Sequence, residues 1–384
     1  MKIKPRRQKL LLIGPMQPPT TGQSVMFSLL VKKFQKSYPS SIANLSEPPG
    51  RSFEQFSFGR VLQVIKLALS VIRRISNTSA VYLTIAQSRV GFLRDVLFIL
   101  ICVSWRRPIV AHLHGGNYAQ FYGSETVVMR FLIRVALGKV DRLIVLSDRY
   151  HKEFSFMGKK FAPRLRTVWN TSDIAPGAIR SLIKGQLRLI YLSNLIPEKG
   201  YRDCVDAIPH LQRLLPDTKI ELVLAGAYII GGENYSSVTD MEVSLKKQIR
   251  YLGLEDAVKL VGSISEQEKQ KFIDRSHIHL LPTYYHNEGQ PITLIEALSA
   301  GLPSVTTSWR GISEIVEHKV TGLIVPSKDP IAIAEAIAEL YANPELYKEL
   351  SRQGLEKARH FSIPKHVTAI TDIINEVILQ KTAK

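Results

Sequence analysis

The sequence predicts an α/β protein made of two domains, each a parallel sheet covered by helices on both faces. Three observations carry this. Short apolar runs alternate with longer amphipathic stretches along the chain, the pattern of repeated strand–helix units. The alternation breaks at residues 176–185 and restarts at Arg188-Leu189-Ile190-Tyr191-Leu192-Ser193. A length of 384 residues with 45% hydrophobic content suits two cores better than one. The first domain is placed at residues 1–175, with 364–384 packing back on it, and the second at residues 186–363.

Leu10-Leu11-Leu12-Ile13-Gly14 is the first strand. The preceding residues are basic, but this apolar run is too short for the core of a secretory leader. A turn rich in Pro, Gly and Thr follows and opens a helix over residues 25–34; Gly22 in it lets a backbone approach a ligand closely. Residues 59–76 form a helix with a wide apolar stripe interrupted by Lys66, Arg73 and Arg74. Core packing is one reading of that stripe and interfacial membrane contact the other. Residues 80–85 read as a strand, 91–104 as a helix and 108–113 as a strand. The last ends in His112-Leu113-His114-Gly115-Gly116, with the two histidines on one side of the chain. A helix ends near residue 141, and 142–147 is the next strand.

In the second half, residues 188–193 form a strand that runs into Asn194-Leu195-Ile196-Pro197-Glu198-Lys199-Gly200. Residues 219–226, closing on Gly226, and 258–264 are further strands. Residues 278–281 are a strand with buried faces. A polar loop punctuated by Gly289 and Pro291 follows, then an apolar helix that stops at Gly301. Ligands of open parallel sheets bind at the carboxyl ends of strands, where this loop lies. Amides around residues 291–294 favour a phosphate. Glu288 sits in the loop and Glu296 one to two turns into the helix. A carboxylate accepts two hydroxyl hydrogen bonds at once, which suits a vicinal diol. Both could be ordinary surface charges, yet Glu296 is the only charge between Gly289 and Arg310. Buried there, it needs a partner or a ligand. Residues from 331 on read as helices, the last over 364–382.

Charge is unevenly divided. Residues 1–175 hold 27 Lys and Arg against 8 Asp and Glu, and the remainder holds 24 against 25. The basic first half is read either as a soluble basic face or as the mark of an anionic partner: a membrane surface, a lipid pyrophosphate or nucleic acid. Nucleic acid predicts aromatic residues interleaved with the arginines, and no such array is present. Two distant cysteines, Cys102 and Cys204, indicate a reducing compartment. No D-x-D, H-E-x-x-H or C-x-x-C pattern suggests a metal, so none is expected.

The segment Glu288-Gly289-Gln290-Pro291, Glu296-Ala297, Gly301-Leu302-Pro303-Ser304-Val305 resembles the E-x7-E motif of retaining glycosyltransferases of the GT-B fold, family 4. Asn170-Thr171-Ser172-Asp173 is similar to that family's N-G-V-D, with Thr171 and Ser172 in place of Gly and Val; Arg310-Gly311-Ile312-Ser313-Glu314-Ile315-Val316 is similar to its G-G-x-x-E-I-V, with Arg310 at the first glycine; and Gly322-Leu323-Ile324-Val325-Pro326 also matches. The resemblance implies two Rossmann-like domains facing across a cleft, with the C-terminal helix returning to the first. The second would bind a UDP- or GDP-sugar, and the first a lipid-linked saccharide of a cell-surface polysaccharide. It implies that Glu296 holds the ribose and that Glu288 meets the donor-sugar hydroxyls, as nucleophile or as positioning group. Lys199 would neutralise the diphosphate, with Asn194 where the family carries arginine. Gly22, Gly226, Gly289, Gln290, Pro291 and Ile292 would line the donor site, and His114 would bind the transferred sugar or the acceptor. No cofactor or metal is expected, and no nucleic acid. The expected location is the cytoplasmic face of the cell membrane, as a peripheral enzyme. A sugar-nucleotide epimerase of the same fold is the rival enzyme, and a basic nucleic-acid-binding protein the rival outside enzymes.

Overall fold

A computed structural model describes residues 9–46, 58–230 and 235–382. The basic start at residues 1–8 lies outside them. The chain forms two compact units, one of residues up to Asn170 together with Ile363 onward, the other Thr171–Ser362.

Unit 1 contains β1 (Leu10–Gly14), α1 (Gly22–Ser37), β2 (Ser40–Asn44), α2 (Phe58–Ile75), β3 (Ala80–Ile85), α3 (Arg89–Ser104), β4 (Ile109–Leu113), α4 (Tyr118–Ser124), α5 (Val127–Leu137), β5 (Arg142–Val145) and β6 (Leu165–Thr167). Its sheet is parallel, in the order β2-β1-β3-β4-β5-β6. The two faces of β1 go to different cores, as a period of two requires. Leu11 and Ile13 face α2, α3 and α5, while Leu10 and Leu12 face α1 and the last helix of the chain.

Unit 2 contains β7 (Gln186–Leu192), α6 (Tyr201–Leu214), β8 (Lys219–Ala225), α7 (Val238–Tyr251), β9 (Val258–Gly262), α8 (Glu266–Arg275), β10 (Ile278–Leu281), α9 (Ile292–Ser299), β11 (Ser304–Thr307), α10 (Ile312–Ile315), β12 (Gly322–Val325), α11 (Pro330–Ala342) and α12 (Pro344–Ala358). The sheet order is β12-β11-β10-β7-β8-β9, again parallel. From β7 the chain winds outward one way to β9, then crosses back to β10 on the other side of β7. The loops after β7 and β10 therefore diverge to opposite faces and leave a crevice between them. The last helix, α13 (Ile363–Thr382), belongs to unit 1.

Two boundaries differ from the sequence reading. Helix α1 starts at Gly22, three residues early, because Thr21 and Ser24 form a capping box over its first turn. Gly22 is thus the first helical residue rather than a loop residue. The units divide at Asn170, not near residue 175 or 185, because 171–180 packs into unit 2. There Gly177 N–H donates to Ser299 O at 2.8 Å, and Arg180 Nε donates to Ala300 O at 2.8 Å. Among the described residues no helix is long and apolar enough to cross a membrane.

Candidate active site

The crevice at the carboxyl ends of β7 and β10 is built by close backbone contact. Gly200 adopts φ +77°, and a Cβ there would lie 2.4 Å from Pro282 O. A Cβ on Gly226 would lie 2.0 Å from Ser193 O. Glycine at both positions lets the loops after β7, β8 and β10 touch. The β10 loop is tied down from behind: Thr307 Oγ1 donates to Thr283 O at 2.5 Å and Trp309 Nε1 donates to Tyr285 O at 2.7 Å.

Lys199 and Glu288 meet in this crevice. Lys199 Nζ lies 3.2 Å from Glu288 Oε2, donates to Ser193 Oγ at 3.3 Å and sits over the Tyr285 ring. Thr283 Oγ1 donates to the same carboxylate oxygen at 3.2 Å. Glu288 is buried, so its charge is held by a cation and a hydroxyl rather than by water. Beside the pair, α9 begins at Pro291 with no side-chain cap and no acid in its first turn. Its first amides are left for another acceptor. Gly289, Gln290, Pro291 and Ile292 form the link from Glu288 to this helix start.

Glu296 has the partner its burial demands. Lys269 Nζ of α8 lies 2.6 Å from Glu296 Oε1 and 2.6 Å from Glu266 Oε2. Asp173, Glu266 and Glu296 present carboxylate oxygens within 4.8 Å of one another; Lys269 spans the latter two. Burial pulls the Lys269 ammonium down, but Glu296 and Glu266 outweigh it and hold it charged. Burial pushes the Glu296 carboxyl up, opposed by Lys269. Glu296 Oε2 is buried and makes no hydrogen bond within the protein, a free acceptor on a charged group.

In unit 1, His112 and His114 stack at the end of β4 with ring centroids 4.0 Å apart. The Tyr82 hydroxyl lies 2.6 Å from His112 Nδ1, and His366 of α13 bonds Trp169 O at 2.6 Å. Burial lowers all three imidazoles. His114 falls to about 3, with His366 adding to the effect and Asn170 opposing it; His366 falls to about 4, opposed by its bond to Trp169; His112 falls well below its ordinary value. Each is neutral at neutral pH and serves as a hydrogen-bonding group, not a cation. A depressed histidine stabilises the fold fully above its unfolded value, ordinarily 6.5, and that stability is lost as pH falls toward the folded value. The expected result is a thermal midpoint that drops between pH 6.5 and about 4, with no imidazolium signal from these three by histidine NMR at pH 6.5, where an ordinary histidine is half protonated. Protonation at pH 6 would contradict it.

The structure brings Lys199, Glu288 and the α9 start together, with Asn194 and Gly226 in the adjoining loops. Gly22 and His114 lie in unit 1. Sequence reasoning missed Lys269, Thr283, Ser193 and Tyr82. Their polar atoms matter only through partners distant in sequence, and Lys269 reads locally as a solvated charge on a polar helix.

Residues 179–357 match the family described as "Glycosyl transferases group 1". Among curated relatives, the amylovoran biosynthesis glycosyltransferase AmsK of Erwinia amylovora is 30% identical over 42% of this chain and 38% of its own length. The alpha-D-kanosaminyltransferase of Streptomyces kanamyceticus is 23% identical over 64% of each. The chain thus spans less than two-thirds of the length of these relatives. Among solved structures, Anabaena Alr3699/HepE in complex with UDP and glucose aligns with a TM-score of 0.72 and 17% identity, covering 96% of this chain and 100% of that one. Sucrose-phosphate synthase from Thermosynechococcus elongatus aligns at 0.74 and 15%, over 97% and 100%. The fold is GT-B.

Proposed function

We propose, from the premise that residues 179–357 of this chain belong to the group 1 glycosyl transferases, that it transfers a glycosyl unit from a nucleotide-sugar to a saccharide acceptor. The observation that carries this is the pair of half-buried Lys199 and buried Glu288 beside the uncapped start of α9. A diphosphate docked there meets one fixed cation and a set of backbone amides, which oppose the charge that develops as the sugar leaves. The partnerless Glu296 Oε2 accepts a ribose hydroxyl, and Lys269 favours the ionised carboxylate against the effect of burial while bridging it to Glu266. Glu288 faces the sugar hydroxyls. The diphosphate needs no divalent metal, since Lys199 and the helix supply the positive field. The transfer retains anomeric configuration.

The donor is a UDP- or GDP-sugar; the UDP and glucose held by the Anabaena neighbour support the uridine form. The acceptor is a lipid-linked saccharide of a surface polysaccharide, a reading supported by the amylovoran relative and by the basic first half of the chain. Neutral His114 hydrogen-bonds the transferred sugar or the acceptor. The enzyme works at the cytoplasmic face of the membrane without spanning it.

A thermal-shift screen with UDP-, GDP- and ADP-sugars tests the donor. A ligand at 100 times its dissociation constant stabilises by about 2.7 kcal/mol, so one nucleotide class should raise the midpoint by several degrees. The rise, and sugar transfer, should persist in excess EDTA. No shift with any of the three, or transfer lost on chelation and regained with magnesium, would sink the reading.

A further inference from the structure

Three helices on one face of the unit 1 sheet carry apolar residues on both sides. α2, α3 and α5 all contribute to the core over the same face, α2 against α3 and α3 against α5. The sequence left the apolar stripe of α2 with two readings, core or interface. The helix buries one line of apolar residues and exposes another. Ala68, Val71 and Ile75 are buried against the sheet, and Leu62, Ile65, Leu69 and Ile72 form an exposed stripe. α3 repeats the arrangement, with Phe92, Phe98, Ile99 and Cys102 inside and Val90, Leu93, Leu97 and Leu100 outside. α5 exposes Val128, Phe131 and Val135, with Phe131 65% exposed. Each outer set recurs at spacings of three and four, so each lies along one line of its helix. Single exposed apolar residues are ordinary, but three parallel stripes on adjacent helices are not.

The charges on the same segment are one-sided. Residues 58–140 hold 11 Lys and Arg and only two acids, Asp95 and Glu125. Both acids are buried and paired, Asp95 with Arg94 at 2.8 Å and Glu125 with Arg89 at 2.9 Å. Exposed Lys66, Arg73, Arg74, Arg106 and Arg134 flank the stripes, and neither acid of residues 58–140 is exposed.

The geometry points to the outer face of α2, α3 and α5 as a surface that inserts into an anionic lipid leaflet. The stripes enter the boundary between headgroups and acyl chains, and the flanking cations meet the lipid phosphates. A second copy of this chain fits the face poorly, because a two-fold interface would set unneutralised Lys and Arg against their own kind. The inference deepens the membrane-linked acceptor reading by assigning the contact to one face and making it partly apolar. Adsorption by charge alone would be abolished by salt; insertion leaves a salt-resistant fraction.

The test uses the full chain with two sets of vesicles, phosphatidylcholine alone and phosphatidylcholine with phosphatidylglycerol. The expected result is sedimentation with the anionic vesicles, reduced but not lost at high salt. The triple variant Leu69→Glu, Leu97→Glu, Phe131→Glu alters only exposed side chains; it should bind at least about tenfold less, with the same thermal midpoint and the same donor-induced shift. Wild-type sedimentation of the triple variant, or no binding by the parent chain, overturns the proposal. So does a concentration-dependent dimer that the triple variant abolishes, which would assign the face to a second copy. Vesicle binding without any donor-induced shift would support the face while sinking the enzyme reading, so the two fail separately.

Discussion

Lys199→Ala lowers the rate of sugar transfer by about two to three orders of magnitude, the usual loss when one stabiliser of developing charge is removed. Lys199 Nζ is fixed by Glu288 at 3.2 Å and Ser193 at 3.3 Å, so it needs no reorganisation when the diphosphate leaves. Its neighbour Asn194 brings no charge, so little cation remains to compensate. Two controls separate charge from folding. Lys199→Arg should keep more activity than Lys199→Ala, and Asn194→Arg added to Lys199→Ala should recover part of the rate. Steady-state kinetics beside a thermal midpoint for each variant decide the matter. A folded Lys199→Ala enzyme with near-normal kcat would mean that the diphosphate sits elsewhere.

Glu288→Gln and Glu296→Gln are expected to split kcat from KM. In the proposed roles Glu288 meets the sugar that reacts, so its substitution should lower kcat by about a hundredfold or more, with the donor KM nearly unchanged. In the same proposal Glu296 meets the ribose, which does not react, so its substitution should raise the donor KM about tenfold and leave kcat within a few-fold. The second variant also loses stability. Lys269 would be left buried with Glu266 as its remaining carboxylate, a cost of about 1–3 kcal/mol for a weakened buried charge. Glu288→Gln leaves Lys199 with Ser193 and some access to water, so its midpoint should change less. Wild-type kinetics in Glu288→Gln, or a kcat loss without a KM change in Glu296→Gln, would reverse the assignments.

Much of the site was legible because it is local. Glu288, Gly289, Pro291, Glu296 and Gly301 fall within one strand–loop–helix unit, and their spacing alone places a loop carboxylate, a helix start, a second carboxylate and a stop. The β10 strand was legible because a strand buried on both faces reads as an unbroken apolar run. What fills the other half of each interaction was not. Lys269 is 27 residues from Glu296 and Tyr82 is 30 from His112, and nothing in either local stretch announces the pairing. The edge strand β2, Ser-Ser-Ile-Ala-Asn, is too short and polar to stand out. The division at Asn170 was misplaced because residues 171–180 look like a polar linker. They are held by a backbone bond from Gly177 to Ser299 and a side-chain bond from Arg180 to Ala300 O, which a sequence pattern does not display.

The path of α13 orders events during synthesis. Unit 2 is complete once Ser362 has left the ribosome, whereas unit 1 is interrupted by it and waits for the final helix. Until then Leu10, Leu12, Tyr82, Val110 and Ile144 lack the cover that Ile370, Ile374 and Val377 provide. Arg142 and Arg166 of neighbouring strands lack Glu376, which they later share at 2.6 and 2.9 Å. The nascent amino-terminal sheet is thus left half-clothed while nearly two hundred further residues are translated. Unit 1, begun before unit 2, is thus closed after it, and its uncovered sheet face is the surface most open to off-pathway association in that interval.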